Sequence, residues 1–166
     1  MKNLETLLKD YIKHAADRAS KGIPPLALNA AETNTVTELL ESADPSDSEY
    51  LINLLKERVP PGVDEAAYVK ASWLTAIANG EKTSKCIDPK EAIKILGTMI
   101  GGYNVNALVE IIKKEDFILS QIAADMLKKI ILVYDSANDI FELSIKNIYA
   151  KQVVDSWANA EWFISK

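Results

Sequence analysis

Apolar residues recur along this chain at three- and four-residue steps. From Asn3 to Ser20 the series is Leu4, Leu7, Leu8, Tyr11, Ile12, Ala15 and Ala19, which places them on one face of an α-helix. Gly22 suits the position just beyond that helix, and Ile23-Pro24-Pro25 cannot extend it. A second helix is predicted from Ala31 to Ser42, with Asn29 as N-cap. Ser46 and Glu49 have the spacing of a capping box for a third helix carrying Leu51, Leu54 and Leu55.

Pro60-Pro61-Gly62 forces a corner. Asp64 is the natural N-cap of a fourth helix that buries Ala67, Tyr68, Ala71, Trp73, Leu74 and Ala78 and ends at Gly80. Asp88-Pro89 is an N-cap followed by a first-turn proline. It opens a fifth helix with Ile93, Leu96 and Ile100, stopped by Gly101-Gly102. Asn104 or Asn106 starts a short helix through Leu108, Val109 and Ile112. Asp116 opens a longer one through Ile122, Leu127, Ile130 and Ile131. Two more are predicted over 136–146 and 149–163.

No stretch shows the period-two alternation of a half-buried strand. The expected fold class is all-α, with about nine helices joined by short connections that set neighbours antiparallel as stacked hairpins. A HEAT-like α-α superhelix has that layout. Self-similarity at the usual repeat length of about 40–47 residues is absent, so a compact irregular bundle is the alternative. A chain of 166 residues is expected to form one domain, 1–166.

Four segments resemble, in order, the N-terminal domain of bacterial aconitase B. They are Arg58 to Ala71 (RVPPGVDEAAYVKA), Ile77 to Glu81 (IANGE), Leu96 to Asn104 (LGTMIGGYN) and Tyr149 to Phe163 (YAKQVVDSWANAEWF). The opening helix, with Tyr11, His14, Ala19 and Gly22, also fits. The resemblance implies a HEAT-like helical domain of a larger enzyme of the tricarboxylic acid cycle. That enzyme interconverts citrate, cis-aconitate and isocitrate by hydro-lyase chemistry on a 4Fe-4S cluster. The resemblance also implies that cluster ligands, substrate arginines and the catalytic serine belong to domains absent here, so no cofactor and no catalytic residue is assigned to this chain. It further implies a helical domain that shapes the approach to the active site and mediates protein contact, dimerisation and messenger-RNA binding.

The chain carries a net charge of −5, against 26% charged residues. That balance disfavours a sequence-independent grip on nucleic acid, which needs clustered Lys and Arg. The best basic candidates are Lys113, Lys114, Lys128 and Lys129, diluted by Glu115, Asp116 and Asp125 and without interleaved aromatic residues. The amphipathic N-terminus lacks the apolar run of a signal peptide. No apolar stretch is long enough to cross a membrane. A cytoplasmic location is expected.

Single residues carry little chemistry. The one histidine, His14, has no convergent partners in sequence, and the one cysteine, Cys86, cannot complete a thiolate metal site. Gly97 and Gly101 suit close helix packing. Asp64 and Glu65 sit where helix N-termini favour negative charge, and Arg58 is placed to bridge to that corner. The final helix is the better candidate. Its stripe Tyr149, Val153 and Trp157 packs inward, while the stripe from Ala150 through Val154 and Ala158 ends in Trp162-Phe163-Ile164. Trp157, Trp162 and Phe163 form the candidate partner surface, unless the helix folds back to cover them. The expected function is a non-catalytic protein–protein interaction module, its partner being the aconitase catalytic domains, a second copy or another metabolic enzyme. The alternatives are an RNA-binding regulatory module and a fragment of a full-length aconitate hydratase.

Overall fold

The computed structural model describes residues 4–160 apart from 101, 134 and 135. Among the described residues there are nine α-helices and no strand. They are α1 (Leu4–Ser20), α2 (Ala30–Ser42), α3 (Glu49–Glu57), α4 (Glu65–Ala78), α5 (Pro89–Leu96), α6 (Tyr103–Lys113), α7 (Leu119–Leu127), α8 (Ser136–Ser144) and α9 (Ile148–Ala158). The protein is an all-α stack of helical hairpins.

Most of these helices are too short to be stable alone, so each depends on burying a face. Helix α4 lies at the centre and packs on α2, α5 and α6; α7 continues the stack from α5 and α6; α9 packs on α7 and α8. Every large contact joins elements close in sequence. Leu40, Leu55, Leu74, Ile93, Leu96, Leu108 and Ile112 make a continuous core along the stack.

Helix ends are settled by local chemistry. The Asn29 side chain accepts from Glu32 N while Glu32 reaches back to Asn29 N, both at 2.9 Å, a full capping box. Asp64 accepts from Ala67 N and Asp88 from Glu91 N, both at 2.7 Å. Asp116 accepts from Leu119 N at 2.7 Å. Each satisfies a backbone donor that the first helical turn leaves open.

Several expectations need correction. Ser46 and Glu49 do not form a capping box: Pro45–Asp47 is a 3-10 turn, and Ser48, the residue before α3, turns its hydroxyl to Pro45 O at 2.9 Å. The fifth helix stops at Leu96, well before the double glycine. Asn104 does not start α6. It is buried inside that helix, and its Nδ2 donates backward to Leu96 O at 2.8 Å and Met99 O at 3.2 Å. It caps the end of α5 instead. Gly102, at φ +81°, makes the turn into α6. Tyr68, predicted buried, is 56% exposed and packs edge-on against Tyr103. Ile100 and Ile131 are also exposed, because α5 and α7 end before them. Among the described residues no ion pair joins Arg58 to Asp64 or Glu65; the Arg58 carbonyl accepts from Leu28 N at 2.8 Å and ties the α1–α2 connection to the end of α3.

Gly97, the residue that ends α5, lies against Met126 of α7. A Cβ there would fall well inside van der Waals contact with the Cβ, Cγ and Sδ of Met126. Because the Met126 Cβ is fixed by the backbone of α7, rotation of the thioether cannot relieve the overlap. Gly97→Ala is expected to destabilise by about 1–3 kcal/mol, and Gly97→Val by more. Urea denaturation checks the order. Asn104→Ala removes two buried hydrogen bonds at the same joint and is expected to cost about 1–3 kcal/mol, read as a lower thermal midpoint.

Candidate functional site

Two regions differ from an ordinary packed surface. The first is an apolar groove at the α9 end of the stack. Helix α9 starts cleanly because Asn147 Oδ1 accepts from Tyr149 N and Ala150 N, both at 3.0 Å. The Asn147 Nδ2 donates to Ile112 O at 3.2 Å, so the same side chain fixes the α8–α9 turn to the end of α6. With α9 so placed, Ala150 and Val153 are fully buried. Trp157 is 7% exposed and lies edge-on to Phe141 of α8, with ring centroids 6.4 Å apart. Beside them a groove of about 390 Å³ is lined by Ile130, Ile131, Val133, Ala137, Phe141, Val154, Trp157 and Ala158.

Trp157 is thus the floor of the groove, and its rim is Phe141, 49% exposed, and Ile131, 75% exposed. Trp162 and Phe163, the other members of the sequence-derived partner surface, lie outside the described residues. Further exposed apolar side chains, Ile145, Ile148 and Phe117, sit at the neighbouring hairpin tips. Sequence reasoning missed these three because an apolar residue in a turn has no periodic partner to mark its face.

The basic candidates are dispersed and locally matched. Lys113 pairs with Glu110 at 2.6 Å, and Lys114 donates to Asn79 Oδ1 at 2.8 Å. Lys128 pairs with Asp125 at 2.8 Å and also donates to Gln152 Oε1 at 3.3 Å; Lys129 is exposed. One pair lies at the end of α6 and the other follows α7. His14 accepts at Nε2 from Leu26 N at 3.2 Å and packs near Tyr11, a structural role.

The iron–sulfur cluster implied by the resemblance finds no fit here. Cys86 is half-buried, with its Sγ 3.4 Å from Ala43 O, and one thiol cannot supply the three or four ligands of a cubane cluster. Among the described residues no group of three His, Cys, Asp or Glu is placed to hold a metal ion.

The second region was not legible in sequence. Lys70 of α4 is 1% exposed. Ala66, Lys70, Trp73 and Ile77 form a second inward stripe on α4, and the lysine is carried inside with it. Its Nζ lies near the last turn of α3, 3.5 Å from Lys56 O, where the helix dipole favours a cation. Burial lowers its pKa to about 8; nearby Glu57 opposes that shift and Lys56 adds to it. The signal available in sequence was Trp73, three residues on, which marks the same face.

A cleft of about 410 Å³ opens over this stripe. Lys56 and Glu57 of α3 and Glu91, Lys94 and Thr98 on and after α5 line it together with Lys70. Below pH 8 Lys70 is protonated in both folded and unfolded chains, and the cost of burying its charge is fully present. Between pH 8 and 10.5 the folded chain releases the proton while the unfolded chain keeps it, so stability rises with pH in that window. The gain is on the order of 3 kcal/mol. Lys70→Met is expected to be more stable than the parent near pH 7 and to lose that rise. Urea midpoints measured from pH 7 to 10 check it; a parallel pH profile for the two chains would refute the assignment.

Residues 10–163 match the family described as the aconitate B N-terminal domain. The chain is 52% identical over 160 residues to aconitate hydratase B of Synechocystis sp., covering 96% of this chain and 18% of that protein. It is 47% identical over 161 residues to aconitate hydratase B of Escherichia coli, with the same two coverages, 96% and 18%. Against the Helicobacter pylori protein of that name identity is 42% over 163 residues, covering 98% of this chain and 19% of that one. The chain therefore spans less than a fifth of the length of these curated relatives. The helical stack with its end groove and its buried lysine belongs to the aconitate B N-terminal domain family.

Proposed function

We propose that this chain is a non-catalytic interaction module, the HEAT-like helical domain of an aconitate hydratase, acting in the cytoplasm. Its occupant at the α9 end is the catalytic part of such an enzyme. The observation that carries this reading is the groove over Trp157. A rim of exposed Phe141 and Ile131 around a buried tryptophan has the anatomy of an interface centre, an aromatic floor ringed by apolar cover.

Two further features support it. The groove is lined in part by Ala158, the last residue of α9. Among the described residues α9 packs on α6, α7 and α8, and the apolar groove beside Trp157 stays open, as on a solenoid layer that takes a further element. Catalysis in this reading belongs to the partner. The side chains described here converge on no nucleophile–base pair, and Lys70 is the one strongly perturbed group.

The test mixes this chain with the separately produced catalytic portion of the Escherichia coli relative and follows association by sedimentation. Saturable binding is expected, weakened roughly tenfold or more by Ile131→Asp or Phe141→Asp, since a charge in a desolvated apolar interface is costly. Both side chains are exposed, so the variants retain the fold. Failure to associate would sink the proposal, as would association indifferent to both substitutions. The chain alone is expected to show no hydration of cis-aconitate; turnover by it would refute the non-catalytic reading.

A further inference from the structure

The Lys70 cleft is a built polar site that the interaction role leaves unused. It lies on the α3, α4 and α5 layer, whereas the apolar groove is formed by residues on and between α7, α8 and α9. We propose that the cleft binds a small carboxylate anion, held by the Lys70 ammonium at its floor and by Lys56 and Lys94 at its rim.

The argument starts from donors without acceptors. An ammonium carries three N–H donors and no acceptor. Lys70 is 1% exposed, and its one hydrogen-bond partner is Lys56 O at a long 3.5 Å. Among the described residues two donors of this buried cation have no protein acceptor, a costly arrangement in a low-dielectric setting. Lys56 uses one donor on Glu91 Oε1 at 2.7 Å, and Lys94 stands 3.9 Å from Glu91 Oε2, too long for a hydrogen bond. Both rim lysines thus share a single carboxylate and keep donors in reserve. The Thr98 hydroxyl donates to Ile95 O at 2.7 Å, so the donors open to an anion are those of the lysines.

Charge selects the ligand class. Lys56, Lys70 and Lys94 face Glu57 and Glu91, a surplus of one positive charge. A carboxylate brings one negative charge and only acceptor oxygens, which matches both the charge and the donor surplus. A phosphate brings close to two charges at neutral pH; set against Glu57, Glu91 and the carbonyl end of α3, it overshoots. The volume of about 410 Å³ accommodates a small organic acid and falls within the range of ordinary ligand pockets. Val59, Pro61 and Ile95 supply apolar wall for its carbon skeleton.

The experiment uses the 166-residue chain labelled with 13C at lysine, with the Lys70 Cε resonance assigned by its loss in Lys70→Met. Sodium acetate, sodium propionate and sodium phosphate are titrated at constant ionic strength against chloride. Saturable movement of the Lys70 resonance is expected with acetate or propionate, at a lower concentration than with phosphate. Lys94→Met, at the exposed rim, is expected to weaken the carboxylate titration roughly tenfold, the loss of one charge-assisted contact. A Lys70 resonance that moves no more with carboxylates than with chloride overturns the proposal. Tighter saturation by phosphate overturns the carboxylate assignment, and an unchanged titration in Lys94→Met overturns the rim. Circular dichroism of each variant confirms that the fold is kept.

Discussion

Helix α4 is buried on the faces that meet α2, α5 and α6, and the rest of the stack is arranged around that burial. Ala66, Ala67, Ala71, Trp73, Leu74, Ile77 and Ala78 all lie inside. The small residues let α2, α5 and α6 approach the axis, while Trp73 and Leu74 fill the space between them. Trp73 also donates from Nε1 to Glu41 at 2.8 Å, and Lys82 pairs with the same carboxylate. The hydrogen bond from Lys82, ahead of the one from Trp73, holds the Glu41 carboxyl below its usual range. This ties α2 to α4 and to the turn that follows it. The exposed strip of α4 runs through Glu65, Tyr68 and Ser72, and position 70 falls outside it, so Lys70 is carried inside with Ala66 and Trp73.

The Arg58–Ala71 corner gains a second meaning from the same constraint. In sequence it reads as a joint: a helix end, a proline pair, a glycine and an N-cap. In the fold Pro61 and Val59 become cleft wall, Asp64 caps α4, and Lys70 reaches back to the last turn of α3. A joint that only changed chain direction would not need a buried cation. Burial disfavours the Lys70 ammonium, and a perturbed group of that kind in a cleft is a candidate functional group. The apolar groove and the cleft lie in different layers of the stack, so one can be altered without touching the other.

Legibility followed the range of the forces involved. Capping is decided within four residues, and Asn29, Asp64 and Asp88 were all readable as N-caps. Ser46 failed because proline at 45 favours a tight 3-10 turn whose carbonyl takes the Ser48 hydroxyl. Asn104 was read as a cap and is one, but for the helix behind it, since burial in α6 aims its amide at the open carbonyls of α5. Tyr68 looked internal by spacing. It lies outside because α4 turns its alanines to its neighbours and leaves the ring to Tyr103, whose hydroxyl donates to Val63 O at 3.1 Å. The candidate partner surface was half legible. The wide apolar face of α9 was visible in its two stripes, but the rim from Ile131 and Phe141 comes from other elements.

By itself the sequence determined the helical class, most helix starts, the family and the absence of a cluster-binding set of cysteines, because these depend on periodicity, short-range hydrogen bonding and residue identity. Tertiary structure alone decided which face of α4 carries a charge inward, where Asn104 spends its hydrogen bonds, and which apolar residues of the last hairpin stay uncovered. Those outcomes depend on what packs against each helix, and packing is set by partners distant in sequence whose positions no local pattern encodes.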